Sequence, residues 1–174
     1  MLRQWNEQIN LVSRKSIDQS FGPHYADSLF ICDFAGQYLK DDVHDIGTGA
    51  GFPGVIFAAR YPEASVTLYE KSLKKQTFLA AVLTQLALPK LQLAGAVPEQ
   101  RLSGLILARA VFPREELFAF MRAHLTPESI LITNLGGRAE ASSPPKDFSK
   151  IGEKQYRLPL QYGERKVEAL RFRP

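Results

Sequence analysis

Apolar residues change their spacing several times along the chain, and each change marks a new element. Leu2, Trp5 and Ile9 recur at intervals of three and four, which predicts a short amphipathic helix. A second helix is predicted over 16–38, with Phe21, Tyr25, Leu29, Phe30, Phe34 and Tyr38 facing inward and Gly22-Pro23 as a point of breakage or kinking. From Val43 onward short apolar runs alternate with helical stretches: strands near 43–46, 65–69, 91–94, 104–108 and 129–134, helices near 53–60, 72–87 and 113–124. Pro62, Pro89, Pro98, Pro113 and Pro127 punctuate the connections. Such alternation predicts an α/β fold, a doubly wound and mostly parallel sheet covered on both faces. Residues 138–150, rich in Ser, Pro, Ala and charge, read as a loop. Strands near 154–161 and 166–172, joined by Tyr162-Gly163-Glu164-Arg165, read as an antiparallel pair at the sheet edge. With no internal repeat and no shift in composition, the 174 residues are expected to form one domain: a helical cap over 1–40 and a core over 41–174.

Composition narrows the class. Hydrophobic content of 45% with 23% charged residues is ordinary for a globular chain, and no apolar run is long enough to cross a bilayer. The chain opens Met1-Leu2-Arg3-Gln4-Trp5, polar at once, so no secretory signal is expected. A single cysteine, Cys32, excludes an intrachain disulfide, fits a cytoplasmic location and reads as a small core residue. The histidines His24, His44 and His124 stand far apart with no Cys/His cluster, so no metal is expected. The net charge of +4 is unevenly spread. Residues 138–174 carry nine Lys/Arg against five Asp/Glu, whereas 1–137 carry thirteen of each. A basic C-terminal face can attract a polyanion, though from charge alone a solvated surface with no partner is the favoured account.

Candidate chemistry concentrates in Val43-His44-Asp45-Ile46-Gly47-Thr48-Gly49-Ala50-Gly51-Phe52-Pro53-Gly54, a strand end, a glycine-rich loop and a helix start. Glycines at 47, 49 and 51 permit positive φ and close approach of a ligand, and the following helix start offers N–H groups to a polar one. The spacing is not that of the dinucleotide loop G-x-G-x-x-G, because Phe52 stands where its third glycine belongs. Acid-x-G-x-G-x-G instead resembles the first motif of methyltransferases that use S-adenosylmethionine. Glu70 closes the next strand 23 residues after Gly47, the register at which an acid accepts hydrogen bonds from both hydroxyls of a ribose.

Taken together the motifs resemble the bacterial small-subunit rRNA guanine-N7 methyltransferases, also called glucose-inhibited division protein B. The likeness runs from Trp5 to about Leu170. It rests on Trp5-Asn6 with Ile9-Asn10-Leu11, on His24-Tyr25-Ala26-Asp27-Ser28-Leu29, and on Asp45 to Gly54. It continues through Thr67-Leu68-Tyr69-Glu70, Lys74-Lys75 with Phe78-Leu79, Arg109-Ala110 and Gly163-Glu164-Arg165. Besides a shorter helix before Trp5, the chain departs from the family at three motif positions. Ala108 replaces a serine, Gly95-Ala96-Val97-Pro98-Glu99 lacks an arginine, and Asn134-Leu135-Gly136-Gly137 lacks a lysine.

The resemblance implies a Rossmann-like class I methyltransferase fold, S-adenosylmethionine as cofactor, 16S rRNA or the small ribosomal subunit as partner, and a monomer with neither membrane nor metal. It places Asp45, Gly47, Thr48, Gly49, Gly51, Phe52, Glu70, Ala96 and Val97 around the cofactor and His24, Asp27 and Arg109 around the guanine. Guanine N7 has a free lone pair and no proton to lose, so its methylation needs alignment rather than a general base, which suits a site with no acid–base dyad. Plainer accounts stay open. Asp27 and Ser28 can cap a helix, His24 can be a satisfied helix histidine, and Lys71, Lys74 and Lys75 can be a solvated helix face. Three functions fit: an rRNA methyltransferase, a non-catalytic cofactor- or RNA-binding protein of the same fold, and a methyltransferase for another substrate.

Overall fold

The computed structural model describes residues 1–12, 21–135, 143–158 and 162–174. Two helices, α1 (Leu2–Gln8) and α2 (Phe21–Ala35), precede the sheet. Then β1 (Asp42–Ile46), α3 (Gly54–Arg60), β2 (Ser65–Tyr69), α4 (Leu73–Leu86) and β3 (Leu91–Ala94) alternate. They are followed by β4 (Leu105–Ala108), α5 (Arg114–His124), β5 (Ile130–Leu135), β6 (Phe148–Arg157) and β7 (Glu164–Phe172). The seven strands form one sheet in the order β3-β2-β1-β4-β5-β7-β6. The first five are parallel, β7 runs antiparallel to β5, and β6 pairs antiparallel to β7 at the edge. The order reverses between β1 and β4, so the loops leaving those strands diverge and open a crevice at their carboxyl ends.

The middle strand, β4, forms because it is a continuous apolar run, as a strand covered on both faces must be. Leu105, Ile106, Leu107 and Ala108 are all buried. One apolar cluster packs α1 to α4 against the sheet around Phe57, Leu68 and Leu79; the other packs α5 around Met121, Leu125 and Leu131. Asn6 is buried in α1, and its Oδ1 accepts from the Leu11 and Val12 N–H groups at 2.8 Å each, which folds the chain back after the helix. Trp5 packs edge-on against Phe78, with ring centroids 5.8 Å apart, and Cys32 is wholly buried.

Three expectations need correction. Gly22-Pro23 does not break α2. It lies in the first turn, where proline costs no hydrogen bond, and residues 16–20 of the expected helix lie outside the described residues. Leu29 is 45% exposed rather than inward; the buried face is made by Asp27, Ser28, Ile31, Cys32, Phe34 and Ala35. β6 begins at Phe148, inside the expected 138–150 loop, and ends at Arg157; residues 138–142 and 159–161 lie outside the described residues. As an edge strand with a register shift between Lys150 and Gly152, β6 carries too many polar residues to show alternation.

Candidate functional site

The glycine loop is anchored from both sides. Gly47 N–H and Thr48 N–H both donate to the Tyr69 carbonyl, at 2.9 and 3.1 Å, tying the end of β1 to the end of β2. Gly47, at φ +68°, has no room for a side chain, since an added Cβ would lie 2.2 Å from Val111 Cγ2. Around Gly49, at φ +62°, an added Cβ would meet only the Gly47 carbonyl oxygen, at 3.9 Å. The loop backbone is therefore open to a ligand at Gly49 and closed against the protein at Gly47.

Asp45 sits beneath the loop, 1% exposed. Its Oδ2 accepts from Gly54 N–H at 2.8 Å, so the first N–H of α3 is used inside the protein rather than offered outward. Its Oδ1 and the neighbouring Thr48 Oγ1 are both buried without a hydrogen-bond partner among the described residues. Burial, above all, pushes the Asp45 carboxyl up to about 6, against the pull of the Thr48 hydroxyl, Gly54 N–H and Arg109. A buried carboxylate whose nearest side-chain donor is the Thr48 hydroxyl suits a positively charged ligand.

Glu70 closes β2 and is also buried. Its Oε2 accepts from Gly49 N–H at 3.1 Å and its Oε1 from Ser72 N–H at 2.8 Å, so the acid ties the glycine loop to the start of α4. Each oxygen keeps a second lone pair for hydroxyl donors. Gly47 and Glu70 line a cleft of about 290 Å³ together with Lys71, Lys75, Gly95, Val97, Val111 and Phe112, among others. Of the expected adenine-side pair, Val97 lines this cleft and Ala96 does not. Lys71 and Lys75, weighed above as a solvated helix face, border it. Phe112 and Phe120, their rings 5.1 Å apart, also border it and carried no local signal beyond ordinary core hydrophobicity.

A second group lies between α2 and the loop after β4. Arg109 Nη1 donates to Asp27 Oδ2 at 2.8 Å, and the Tyr156 hydroxyl donates to Asp27 Oδ1 at 2.6 Å. Phe52 is buried here rather than in the cleft. The His24 ring stacks on it at 6.0 Å, Tyr25 meets it edge-on at 5.0 Å, and the Arg109 guanidinium lies 5.8 Å from its centroid. Burial and then the Arg109 charge lower the His24 pKa, outweighing Asp27, so the ring is neutral at pH 7; its Nε2 is buried without a hydrogen-bond partner among the described residues. The expected trio His24, Asp27 and Arg109 is thus brought together, with Tyr156 as a fourth member that no sequence motif marked.

No group of three or more potential metal ligands occurs among the described residues, and no described helix is long and apolar enough to cross a membrane. The family model for GidB, rRNA small subunit methyltransferase G, matches residues 1–163. Ribosomal RNA small subunit methyltransferase G of Paracoccus denitrificans is 33% identical over 153 residues, covering 85% of this chain and 79% of the relative. The protein of the same name from Halorhodospira halophila is 33% identical over 144 residues, covering 80% and 67%. Among solved structures, magnesium protoporphyrin IX methyltransferase from Synechocystis PCC 6803 with bound S-adenosylmethionine superposes with a TM-score of 0.64 at 15% identity, covering 86% of this chain and 80% of that one. An rRNA methylase from Streptococcus thermophilus gives 0.56 at 13% identity, covering 83% and 95%. At these identities the two structures share the fold, that of class I methyltransferases.

Proposed function

Because the chain belongs to the small-subunit rRNA methyltransferase G family, we propose that it transfers the methyl group of S-adenosylmethionine to N7 of a guanine in 16S rRNA. The observation that carries this reading is the loop from Asp45 to Gly49. It ties Gly47, Thr48 and Gly49 to the end of β2 and so sets Gly47 and Glu70 on one cleft, with the buried Asp45 carboxylate beneath. These residues fit the cofactor: Glu70 for the ribose, Val97 and the Lys71 stem for the adenine, and the Asp45 charge beneath the loop for the ammonium end. S-adenosylmethionine, when bound, supplies a methyl on an already activated sulfonium. The protein then has to hold the base in line and exclude water, and needs no general base. Arg109, His24 and Asp27 face the base, Asp27 also bracing Arg109 through Oδ2 while each of its oxygens keeps a second lone pair for the base's N–H groups. The protein works as a cytoplasmic monomer on the small ribosomal subunit.

Glu70→Ala is expected to weaken S-adenosylmethionine binding about tenfold by calorimetry, the scale of losing one charge-assisted pair of hydrogen bonds. Unchanged affinity would remove the ribose assignment. Binding of a 16S rRNA fragment is expected to fall steeply from 50 to 200 mM salt. Lys71→Ala with Lys75→Ala should flatten that slope; a slope that stays the same would place the RNA elsewhere. The second reading, a non-catalytic binding protein of the same fold, draws support from the arginine missing from Gly95-Ala96-Val97-Pro98-Glu99.

A further inference from the structure

Asp27 on α2 is held by two donors from distant elements, Arg109 after β4 and Tyr156 on β6. Tyr156 is 8% exposed and its ring stacks on Phe30 at 4.8 Å, so the hydroxyl is fixed in place. Burial and the Asp27 charge push the phenol well up from its ordinary value, and it stays a donor at any physiological pH. The chemistry of guanine gives this clamp a purpose. An unrestrained arginine takes guanine O6 and N7 together, the commonest specific contact to that base. An N7 whose lone pair lies in that hydrogen bond cannot attack a methyl group.

Resting on the guanine-N7 reading above, we infer that Tyr156 is a positioning residue which, through Asp27, holds the Arg109 guanidinium off N7 and leaves the lone pair free. The N7 lone pair then forms the new carbon–nitrogen bond as the electrons of the carbon–sulfur bond return to sulfur. Positive charge passes from sulfonium to base, and no proton moves. The Asp27 carboxylate balances the Arg109 charge next to a base that is itself becoming cationic.

Tyr156→Phe removes one oxygen and keeps the stacked ring. It is expected to lower kcat about tenfold, with KM for RNA unchanged or lower and S-adenosylmethionine affinity unchanged. The distinguishing measurement is binding to 16S rRNA fragments transcribed with guanine or with 7-deazaguanine, which lacks the N7 acceptor. The wild type should bind both within about twofold, whereas Tyr156→Phe should prefer guanine RNA about fivefold, the gain from one added hydrogen bond. Asp27→Ala removes the acceptor that holds the same guanidinium and should show the same preference, so it carries the test if Tyr156→Phe does not fold. No preference for guanine, an unchanged kcat, or a loss of cofactor affinity in step with kcat would make Tyr156 a packing residue and overturn the inference. A wild type that methylates no guanine N7 would overturn the parent reading and the inference with it, a result distinct because it appears before any substitution.

Discussion

Replacing Asp45 by Asn is expected to weaken S-adenosylmethionine binding by about 10–100-fold, the scale of losing a buried charge pair with an ammonium, and to leave the ligand-free protein at least as stable. The two effects share one cause. Asp45 is 1% exposed, and burial lifts its carboxyl from 3.8 to about 6. A folded-state pKa above the unfolded one means that the fold prefers the protonated form. The associated stability is fully present below pH 3.8 and is lost as pH rises through about 6. Above that, the buried charge costs about 3 kcal/mol at 1.36 kcal/mol per unit. Asparagine keeps an acceptor for Gly54 N–H and sheds the charge. Thermal melts at pH 7.5 should therefore show a Tm unchanged or raised by a few degrees. Calorimetry across pH 5–8 should show wild-type cofactor affinity falling as the pH drops below about 6, and no such fall in the variant. Equal affinities for the two proteins would mean that Asp45 only braces the loop.

Gly54→Ala is expected to cost about 4 kcal/mol, roughly 10 °C in Tm for a chain of this size. An added Cβ would lie 2.3 Å from Leu68 Cδ2, 2.5 Å from Asp45 Oδ2 and 2.8 Å from Asp45 Cβ. Two of these contacts are with the acid that Gly54 N–H holds, so the substitution adds the cost of overpacking, about 1–3 kcal/mol, to that of a charge-assisted hydrogen bond, about 1.5–3 kcal/mol. Gly22→Ala is the control, because an added Cβ there meets nothing within 4 Å. A Gly54→Ala protein that melts with the control would show that the start of α3 and Leu68 can move apart freely, against the tight packing described above.

The parts of this molecule that show in its sequence are those governed by local physics. A strand buried on both faces must be apolar throughout, so β4 stands out, while β1, β2, β3 and β5 show as short apolar stretches between turn residues, each observed within about two residues of its expected span. Asp45, Gly47 and Glu70 stand out because a loop that admits a ligand needs glycine and an acid at fixed intervals. What escapes is set by contacts between distant residues. α2 carries apolar residues on nearly every side, so periodicity could not decide that Leu29 faces out while Ile31 and Ala35 face in. β6 is polar because it is an edge, and Tyr156 and Asp27 meet across 129 residues. Lys71 and Lys75 lie beside the cleft only because β2 ends there and α4 starts at once.

The most direct test of the account is transfer of labelled methyl from S-adenosylmethionine to small-subunit RNA, naked and in particles, followed by nucleoside analysis. Labelled 7-methylguanosine is the predicted product. No incorporation by a protein that demonstrably binds the cofactor, or label in any other nucleoside, would contradict it.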